Sequence, residues 1–322
     1  MSQSSTCTTA GRPLLAWDQE DVELREVAGE EAGAVNLGCR GDQGLDGEPG
    51  SRSPGGVARL DFRRRGAVTD LARLFQQGSL RVLRPNVPAG EPACAVLLNT
   101  SGGIVGGDVL EIEARLAPGA AAMITTQAAE KVYRSAGALS SIDVRLTLAE
   151  DTWLEWLPQE TILFDRARLR RRLVLGLAQS ARLLAADLLV FGRRARGERF
   201  QDGFFHDRWE VRFAGRLVWA DALRLAGDPG ASLDAPFGFA GAGAAAIAIY
   251  VAPDAVERLE LARAMIDRPD VRSGATCLPP VLILRWLGED PACVRHALQQ
   301  FCARFRHAVA GLPERTPAIW RA

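Results

Sequence analysis

The stretch "SIDVRLTL" at residues 141–148 determines the fold class, because apolar and polar residues alternate along its whole length. A period of two places one set of side chains against a core and the other in solvent, as in a half-buried strand. The apolar set is Ile142, Val144, Leu146 and Leu148. The following "AED" predicts a turn into a second strand, "TWLEWLP", at residues 152–158.

Further short strands are predicted on both sides of this pair. Residues 80–85 and 94–99 each form one, and residues 111–128 and 208–223 predict hairpins that turn at a Pro-Gly and an Ala-Gly pair. Before residue 254, only residues 181–192 have a pattern that is also compatible with a helix. Because strand follows strand without intervening helices, a doubly wound α/β fold is excluded and a mainly β fold is expected.

Two α-helices are expected in the C-terminal third. Asp254 can cap the first, with Glu257 three residues later at the capping-box position. Asp290 can cap the second, where Pro291 occupies the first turn and Gly311 provides a stop. The apolar stripe of this second helix consists of Val294, Leu298, Phe301, Phe305 and Val309. Its arginines and histidines fall largely off that stripe, so the helix is expected to pack on the β domain.

Composition argues against several functional classes. The 322 residues are 48% hydrophobic and carry no formal net charge, so no global field favours nucleic acid or an anionic membrane. The six cysteines lie far apart, without a C-x-x-C pair or zinc-finger spacing. No signal peptide and no run of 18 apolar residues is evident. We therefore expect a cytoplasmic protein that does not enter the membrane.

Residues 1–56 differ from the rest of the chain. They are rich in Gly, Ser, Asp and Glu, and they contain ten acidic residues and four arginines. Such a composition cannot bury enough apolar surface to fold independently. The expected organisation is a disordered acidic leader over 1–56 and a single β-rich domain over 57–322.

The stretch "NTSGGIVGGD" at 99–108 admits three interpretations: a phosphate cradle, a tight bend between buried strands, and a protein-binding loop. A phosphate cradle needs a helix N-terminus or a following lysine, but the alternating "DVLEIEARL" predicts a strand instead. Glycine-permitted bends that allow close backbone approach are favoured. Asp108 is the one group in the stretch that could bind a cation or cap a turn.

Other polar segments also admit a catalytic interpretation. Lys131, the only lysine, and Tyr133 could form a proton-transfer pair, although a solvated or docking loop is favoured. Glu160 and Asp165 flank an apolar "TILF", which if extended places the two carboxylates on opposite faces, unlike a glycosidase pair. The arginines of "FGRRARGERF" at 191–200 could bind phosphate, but they also suit a protein interface.

His206 is the one histidine with a case for acid/base or metal chemistry, because Asp202 and Asp207 lie beside it. A structural role is favoured, and an enzyme that uses His206 with a neighbouring aspartate is the weaker alternative. The sequence has no G-x-S-x-G motif. Its carboxylates are spread thinly through β segments, which suits weak and passing metal contacts better than a tight site.

Several segments, in order and spacing, closely resemble the UreD family of urease accessory proteins, called UreH in some bacteria. The resemblance lies in "LLNTSGGIVGGDVLEIEARLAPGAAAMITTQAAEKVYRS" (97–135), "WLPQETILFD" (156–165) and "GRRARGERF" (192–200). It continues in residues 58–85 and in the closing "LPERTPAIWR" (312–321). Only the leader lies outside it. The lead-in "NTSGG" and the long acidic leader depart mildly from the family pattern.

The resemblance implies a non-enzymatic factor for metalloenzyme maturation. It implies a fold of stacked, helically arranged β-sheets with two α-helices. The protein would act as a chaperone for nickel insertion. Its partners would be apo-urease and UreF, with the GTPase UreG joining through UreF in a hetero-oligomeric complex. No cofactor would be tightly bound, and Ni²⁺ would pass transiently through an internal passage. A pure assembly scaffold without nickel conduction remains open.

Site residues follow from the resemblance by motif position only. The candidate transient nickel path consists of Asp108, Glu160, Asp165 and Glu198. The candidate interface or passage residues are Gly102, Gly103, Gly106, Gly107, Thr125, Thr126, Lys131, Tyr133, Arg134 and Arg196. Carboxylates, hydroxyls and retained waters bind Ni²⁺ weakly enough to release it, whereas a Cys/His cage would trap the ion.

Overall fold

The computed structural model describes residues 55–266 and 268–321, so nearly all of the predicted leader lies outside the described residues. The strands, in chain order, are β1 (Gly56–Arg65), β2 (Val68–Gly78), β3 (Leu80–Leu83), β4 (Ala93–Asn99), β5 (Val109–Leu116), β6 (Ala121–Thr126), β7 (Glu130–Val132), β8 (Ser140–Leu148), β9 (Trp153–Leu157), β10 (Thr161–Leu163), β11 (Arg168–Leu177), β12 (Arg182–Phe191), β13 (Gly203–Phe213), β14 (Arg216–Gly227), β15 (Ala244–Val251), β16 (Arg272–Leu278) and β17 (Val281–Gly288). The helices are α1 (Pro229–Asp234), α2 (Leu259–Ile266) and α3 (Pro291–Ala310). The mainly β class is confirmed.

The chain alternates between two stacked sheets. Sheet A has the strand order β14-β13-β11-β8-β5-β1-β2, and sheet B has the order β16-β17-β15-β12-β9-β6-β4-β3, with β10 and β7 added beside β12. Parallel neighbours run β5, β8, β11, β13 in sheet A and β4, β6, β9, β12 in sheet B. Each turn of the coil therefore crosses from one sheet to the other. This confirms the stacked, helical arrangement of strands.

One of the two predicted hairpins is correct and the other is wrong. Strands β13 and β14 are antiparallel and turn at Ala214 and Gly215, which have φ values of 49° and 78°. Residues 111–128, in contrast, contribute β5 to sheet A and β6 to sheet B. Their Pro-Gly turn carries the chain across the gap between the sheets. A turn signal predicts a change of direction, but it does not predict which neighbour a strand will pair with.

Two apolar cores explain why residues 181–192, whose sequence is also compatible with a helix, form a strand. The first core fills the space between sheets A and B, and the second lies between sheet B and the helices α2 and α3. Strand β12 belongs to the middle of sheet B, and all but its first residue are buried. A strand covered on both faces carries a continuous apolar run, so its sequence shows no alternation.

Helix α3 follows its predicted caps. The Asp290 carboxylate accepts a hydrogen bond from the Ala292 N–H over 2.9 Å, and Gly311 ends the helix with a φ of +64°. All five residues of the predicted apolar stripe are buried. One arginine departs from the expectation, because Arg306 is 1% exposed. Its guanidinium donates to Glu155 over 2.7 Å and to Glu91 over 2.6 Å, and these carboxylates make its burial possible.

The first predicted helix begins later than expected. A 3-10 turn at Ala255–Arg258 precedes α2, and the Asp254 side chain does not cap it. Asp254 instead accepts hydrogen bonds from Tyr250 and Arg258, both over 2.8 Å. Tyr250 and Arg258 therefore take the carboxylate that a capping box would use. Among the described residues, no helix combines the length and apolar character needed to span a membrane.

Candidate functional site

Four segments that are distant in the sequence form one contiguous surface. Strand β10 pairs with both β7 and β12. The glycine stretch joins them through a bridge between Ile104 and Val132. The arginine-rich loop joins through Gly192, whose N–H donates to the Leu163 carbonyl over 2.8 Å. We call this the motif surface, and it consists of residues 99–108, 130–135, 160–166 and 192–200.

The glycine stretch forms close bends between strands, as favoured from the sequence. Gly102, Gly103 and Gly107 have φ values of 73°, 150° and 94°, a region that side chains disfavour. A Cβ on Gly106 would lie 3.0 Å from the Ser135 Cβ, so the backbone approaches the next loop closely. Strand β5 follows directly at Val109. No helix N-terminus is therefore available at this stretch to hold a phosphate.

Asp108 closes the glycine stretch by capping a turn. Its carboxylate accepts a hydrogen bond from the Val105 N–H over 2.9 Å. The Ser140 hydroxyl supports the same turn by donating to the Val105 carbonyl over 2.7 Å and accepting from the Gly107 N–H over 3.2 Å. Asp108 is half-buried, so part of its carboxylate stays accessible. Its proposed contact with nickel remains a prediction.

A cavity of about 230 Å³ lies between the sheets beneath the glycine stretch. We call it the glycine-loop cavity. Four predicted passage residues line it, namely Gly102, Gly103, Thr126 and Lys131. Apolar side chains of β4, β5, β8 and β9 form most of its wall, and its buried end is formed by Arg171 and Asp187. Lys131 and Gly102 are exposed, so this cavity opens at the motif surface.

Glu130 also lines the glycine-loop cavity and is the most perturbed carboxyl at its mouth. Burial raises the pKa of Glu130 to about 7, with Asp108 adding to the rise and a hydrogen bond from Asn99 opposing it. The Asn99 amide donates to the Glu130 carboxylate over 3.1 Å. Glu130 therefore changes its charge near neutral pH at the mouth of the glycine-loop cavity.

A second cavity, of about 300 Å³, continues along the gap between the sheets. We call it the Asp221 cavity, because Asp221 and Arg285 form a 2.5 Å ion pair in its wall. Both of these side chains are partly exposed, so this cavity opens to solvent at Asp221 and Arg285. Its wall at Asp187 is buried. The adjoining loop carries Phe237, whose side chain is fully exposed.

Asp187 lines both cavities, and a buried triad of charges separates them. Arg171 and Asp207 are neighbours on β11 and β13 of sheet A, whereas Asp187 comes from β12 of sheet B. Arg171 donates to the Asp207 carboxylate over 2.8 and 2.7 Å, to the Thr161 hydroxyl over 3.2 Å, and to Asp187. The three charged residues are all buried.

The four predicted nickel-path carboxylates lie outside these cavity walls. Asp165 and Glu198 are brought together, because Glu198 accepts from the Asp165 N–H over 3.2 Å. Arg193 binds Glu198, and this hydrogen bond lowers the pKa of Glu198. Glu160 is buried and pairs with Arg295 of α3. These carboxylates organise the motif surface, and their contact with an ion remains a prediction.

Some of the predicted interface side chains make contacts within the protein, and the others are exposed to solvent. Tyr133 packs edge-on against Phe164 at 5.0 Å and donates to the Gly102 carbonyl over 3.2 Å. Thr125 is buried and accepts from the Trp320 indole over 2.9 Å, while Thr126 accepts from the Gln159 N–H over the same distance. The remaining three, which are exposed on the motif surface, are Lys131, Arg134 and Arg196.

The weaker enzymatic alternative gains no geometric support. His206 and Asp207 are successive residues of β13, so their side chains point to opposite faces of sheet A. Asp207 is engaged by Arg171, and Asp202 is exposed. Within residues 55–266 and 268–321, no group of three or more His, Cys, Asp or Glu side chains is arranged to hold a metal ion.

Three charged residues of the cavity walls, Asp187, Arg171 and Glu130, were not predicted from the sequence. Asp187 interrupts the apolar run "LLAADLLVF" at 183–191, and a lone carboxylate in such a run indicates a buried partner or a site. That partner, Arg171, stands in an arginine-rich segment in which nothing distinguishes it. Glu130 directly precedes Lys131, and nothing in the sequence distinguishes it either. Only the stacking of the sheets brings these side chains into one gap.

Comparison with known proteins decides the family. Residues 55–321 match the family model described as UreD urease accessory protein. This chain belongs to the UreD family. The UreD of Magnetococcus marinus is 42% identical over 270 residues, covering 82% of this chain and 93% of that protein. The UreD of Xanthobacter autotrophicus is 45% identical over 270 residues, covering 84% and 90%.

A third UreD, from Azorhizobium caulinodans, is 39% identical over 276 residues, covering 86% of this chain and 99% of that protein. The family match begins at residue 55, so the UreD region coincides with the described β domain and leaves the acidic leader outside. The resemblance found in the sequence motifs is confirmed. Membership of the UreD family supports a role in urease maturation.

Proposed function

We propose that this chain binds apo-urease together with UreF and UreG and lets Ni²⁺ pass through its interior toward the urease active site. In this proposal it is a cytoplasmic, non-enzymatic part of a hetero-oligomeric complex. The observation that carries the proposal is the pair of cavities that meet at Asp187. Together they follow the gap between the sheets from the motif surface to the Asp221–Arg285 pair.

The chemistry of the cavity walls suits an ion in transit. Most of the wall is apolar or cationic, and its side-chain oxygens belong to Asn99, Thr126, Glu130, Gln159, Thr161, Asp187, Asp207 and Asp221. Spaced carboxylates and hydroxyls replace some of the water lost by Ni²⁺ without enclosing it. Binding at each point would therefore be weak enough for release to the next.

The two mouths offer different surfaces to partner proteins. The motif surface presents the exposed basic side chains of Lys131, Arg134 and Arg196. The mouth of the Asp221 cavity is flanked by the exposed ring of Phe237. An ion handed between proteins must be shielded from solvent, so we propose that partner proteins cover both mouths. Arginine and aromatic side chains are enriched at such interfaces.

Co-purification with metal analysis tests this function. The chain is used as bait for apo-urease, UreF and UreG, and the nickel content of the recovered urease is then measured. The proposal requires both a stable complex and nickel-loaded urease that depends on this chain. A chain that binds none of the three proteins would refute it.

One observation favours the alternative of a pure assembly scaffold. The Arg171 triad closes the gap between the cavities, so the passage is not continuous in this conformation. A scaffold would assemble the complex without any ion crossing this point. Complexes that assemble normally and load nickel equally well after the passage is obstructed would establish the scaffold.

A further inference from the structure

The side chain that closes the passage is itself a cation. Arg171 is 6% exposed and spans the two sheets, with Asp207 on its own sheet and Asp187 on the other. Its planar guanidinium binds Asp207 through two nitrogens and reaches Asp187 with one of them. A single positive group therefore occupies the position between two carboxylates that come from opposite walls.

The triad does not compensate Asp187 fully, since burial raises the pKa of its carboxyl despite the neighbouring Arg171. Two carboxylates face one guanidinium, and among the described residues Asp187 Oδ1 has no hydrogen-bond partner although it is buried. A buried carboxylate oxygen without a partner is costly, since water is not available to solvate it. Asp207 is better satisfied, because the Trp209 indole also donates to it over 3.0 Å. The unsatisfied oxygen belongs to the residue that lines both cavities.

Asp187 and Asp207 keep the guanidinium of Arg171 protonated. Burial alone would lower the pKa of the guanidinium, but Asp187 and Asp207 outweigh burial and keep it above its usual range. Arg171 therefore cannot leave by losing its proton. It can leave by exchange, when another positive group takes its position between the carboxylates.

We propose that Arg171 is a gate, and that a divalent cation opens it by replacing the guanidinium between Asp187 and Asp207. This inference rests on the proposed nickel passage and assigns its selectivity to one point. The displaced side chain has room in the glycine-loop cavity, where the Glu130 carboxylate also lies. The cation then stands in the wall common to both cavities.

The exchange selects by charge. Two carboxylates attract a doubly charged ion about twice as strongly as a singly charged ion at the same distance. A monovalent ion only equals the guanidinium in charge and lacks its fixed hydrogen bonds, whereas an anion is repelled by both carboxylates. A divalent ion therefore opens the gate, while sodium and phosphate do not. The closed gate also keeps the two cavities separate when no cargo is present.

Nickel binding by the purified chain, in complex with its partner if it is insoluble alone, tests the gate. The variants are Arg171→Met, Arg171→Lys and the double variant Arg171→Met/Asp187→Asn. The control is Arg172→Met, the next residue on β11, whose side chain is exposed and pairs with Glu210 on the outer face. Circular dichroism first establishes that each variant is folded. Equilibrium dialysis against Ni²⁺ then gives the bound metal.

Removal of the competing guanidinium is expected to strengthen Ni²⁺ binding on the order of tenfold, the usual size of coupling between two linked events. Arg171→Lys should give a smaller gain, and the double variant should lose it. No gain in a folded Arg171→Met, or a gain equal to that of Arg172→Met, would overturn the gate. If neither single Arg171 variant folds, the triad is a structural ion pair and the gate is rejected.

The gate and the nickel passage can fail separately. The passage is tested by filling the glycine-loop cavity with Ala129→Trp and measuring the nickel content of co-matured urease. Stronger Ni²⁺ binding by Arg171→Met with unchanged urease loading in Ala129→Trp would keep the cation site and reject the passage. Reduced loading in Ala129→Trp without any gain in Arg171→Met would keep the passage and reject the gate.

Discussion

Gly103 packs directly against the ring of Tyr133: a Cβ at position 103 would lie 3.1 Å from Tyr133 Cδ2 and 2.7 Å from the Lys131 carbonyl oxygen. This contact fixes the glycine stretch against β7 at the mouth of the glycine-loop cavity. The approach is possible only because position 103 has no side chain. The bare backbone therefore shapes the mouth.

Gly103→Ala is predicted to destabilise the fold by about 1–3 kcal/mol, through a strained φ and the clash with β7. Gly102→Ala is the matched control, because Gly102 also has a positive φ but its Cβ would meet open space. Urea unfolding of both variants measures the difference. Equal losses would show that the close approach contributes nothing beyond backbone strain.

Arg306→Met is predicted to destabilise the fold by about 3–5 kcal/mol, because it leaves the buried Glu155 carboxylate without its cation and leaves Glu91 with Arg315 alone. Arg304→Met serves as the control on the same helix, where the side chain is exposed. Its effect should stay within about 0.5 kcal/mol. Thermal unfolding distinguishes the two, and similar midpoints would contradict a structural role for the buried arginine.

The raised pKa of Glu130 predicts that the free energy of unfolding depends on pH. Its pKa rises from an ordinary value of 4.5 to about 7 in the folded protein, so between these values the folded state holds a proton that the unfolded state releases. Stability from this group therefore falls as pH rises through that window. Glu130→Gln should remove this dependence, whereas the exposed Glu257→Gln should not. Unfolding free energies across the window test it, and parallel curves for wild type and Glu130→Gln would refute it.

The exposed ring of Phe237 is predicted to contact a partner protein at the mouth of the Asp221 cavity. Phe237→Ser is expected to weaken assembly with urease or UreF roughly tenfold, about 1.4 kcal/mol, without changing stability. Val256→Ser, which removes an exposed apolar side chain elsewhere, should leave assembly unchanged. Affinity measured with each purified partner decides the matter. Wild-type affinity in Phe237→Ser for every partner would remove this mouth from the proposed interfaces.

The sequence predicts individual elements better than their partners. Residues 141–148 became β8 because a half-buried strand displays its two faces as alternation. The same signal is lost in β12, where both faces are covered and every position is apolar except Asp187 and the first. The caps of α3 were also local and therefore predictable. Asp254 is an exception, since Tyr250 and Arg258, each four residues away, and the distant Arg182 take the carboxylate expected to cap a helix.

The candidate site was only partly predictable for a related reason. The glycine bends and the capping role of Asp108 depend on neighbours within a few residues, so the motif revealed them. The triad joins β11, β12 and β13 from two sheets, and no short-range pattern links Arg171 to Asp187. Which strands face each other depends on how the coil is wound. That information is distributed over the whole domain.

Passage of Ni²⁺ through the interior is tested by the nickel content of urease that has matured with the Ala129→Trp variant. Ala129 lines the glycine-loop cavity, and substitution there avoids the strain that would accompany a change at Gly103. Ala308→Trp, on the exposed face of α3, controls for added bulk. We predict that both variants assemble with urease, and that Ala129→Trp lowers nickel per urease severalfold while Ala308→Trp does not. Full nickel loading by an assembled Ala129→Trp complex would contradict passage of the ion through this interior.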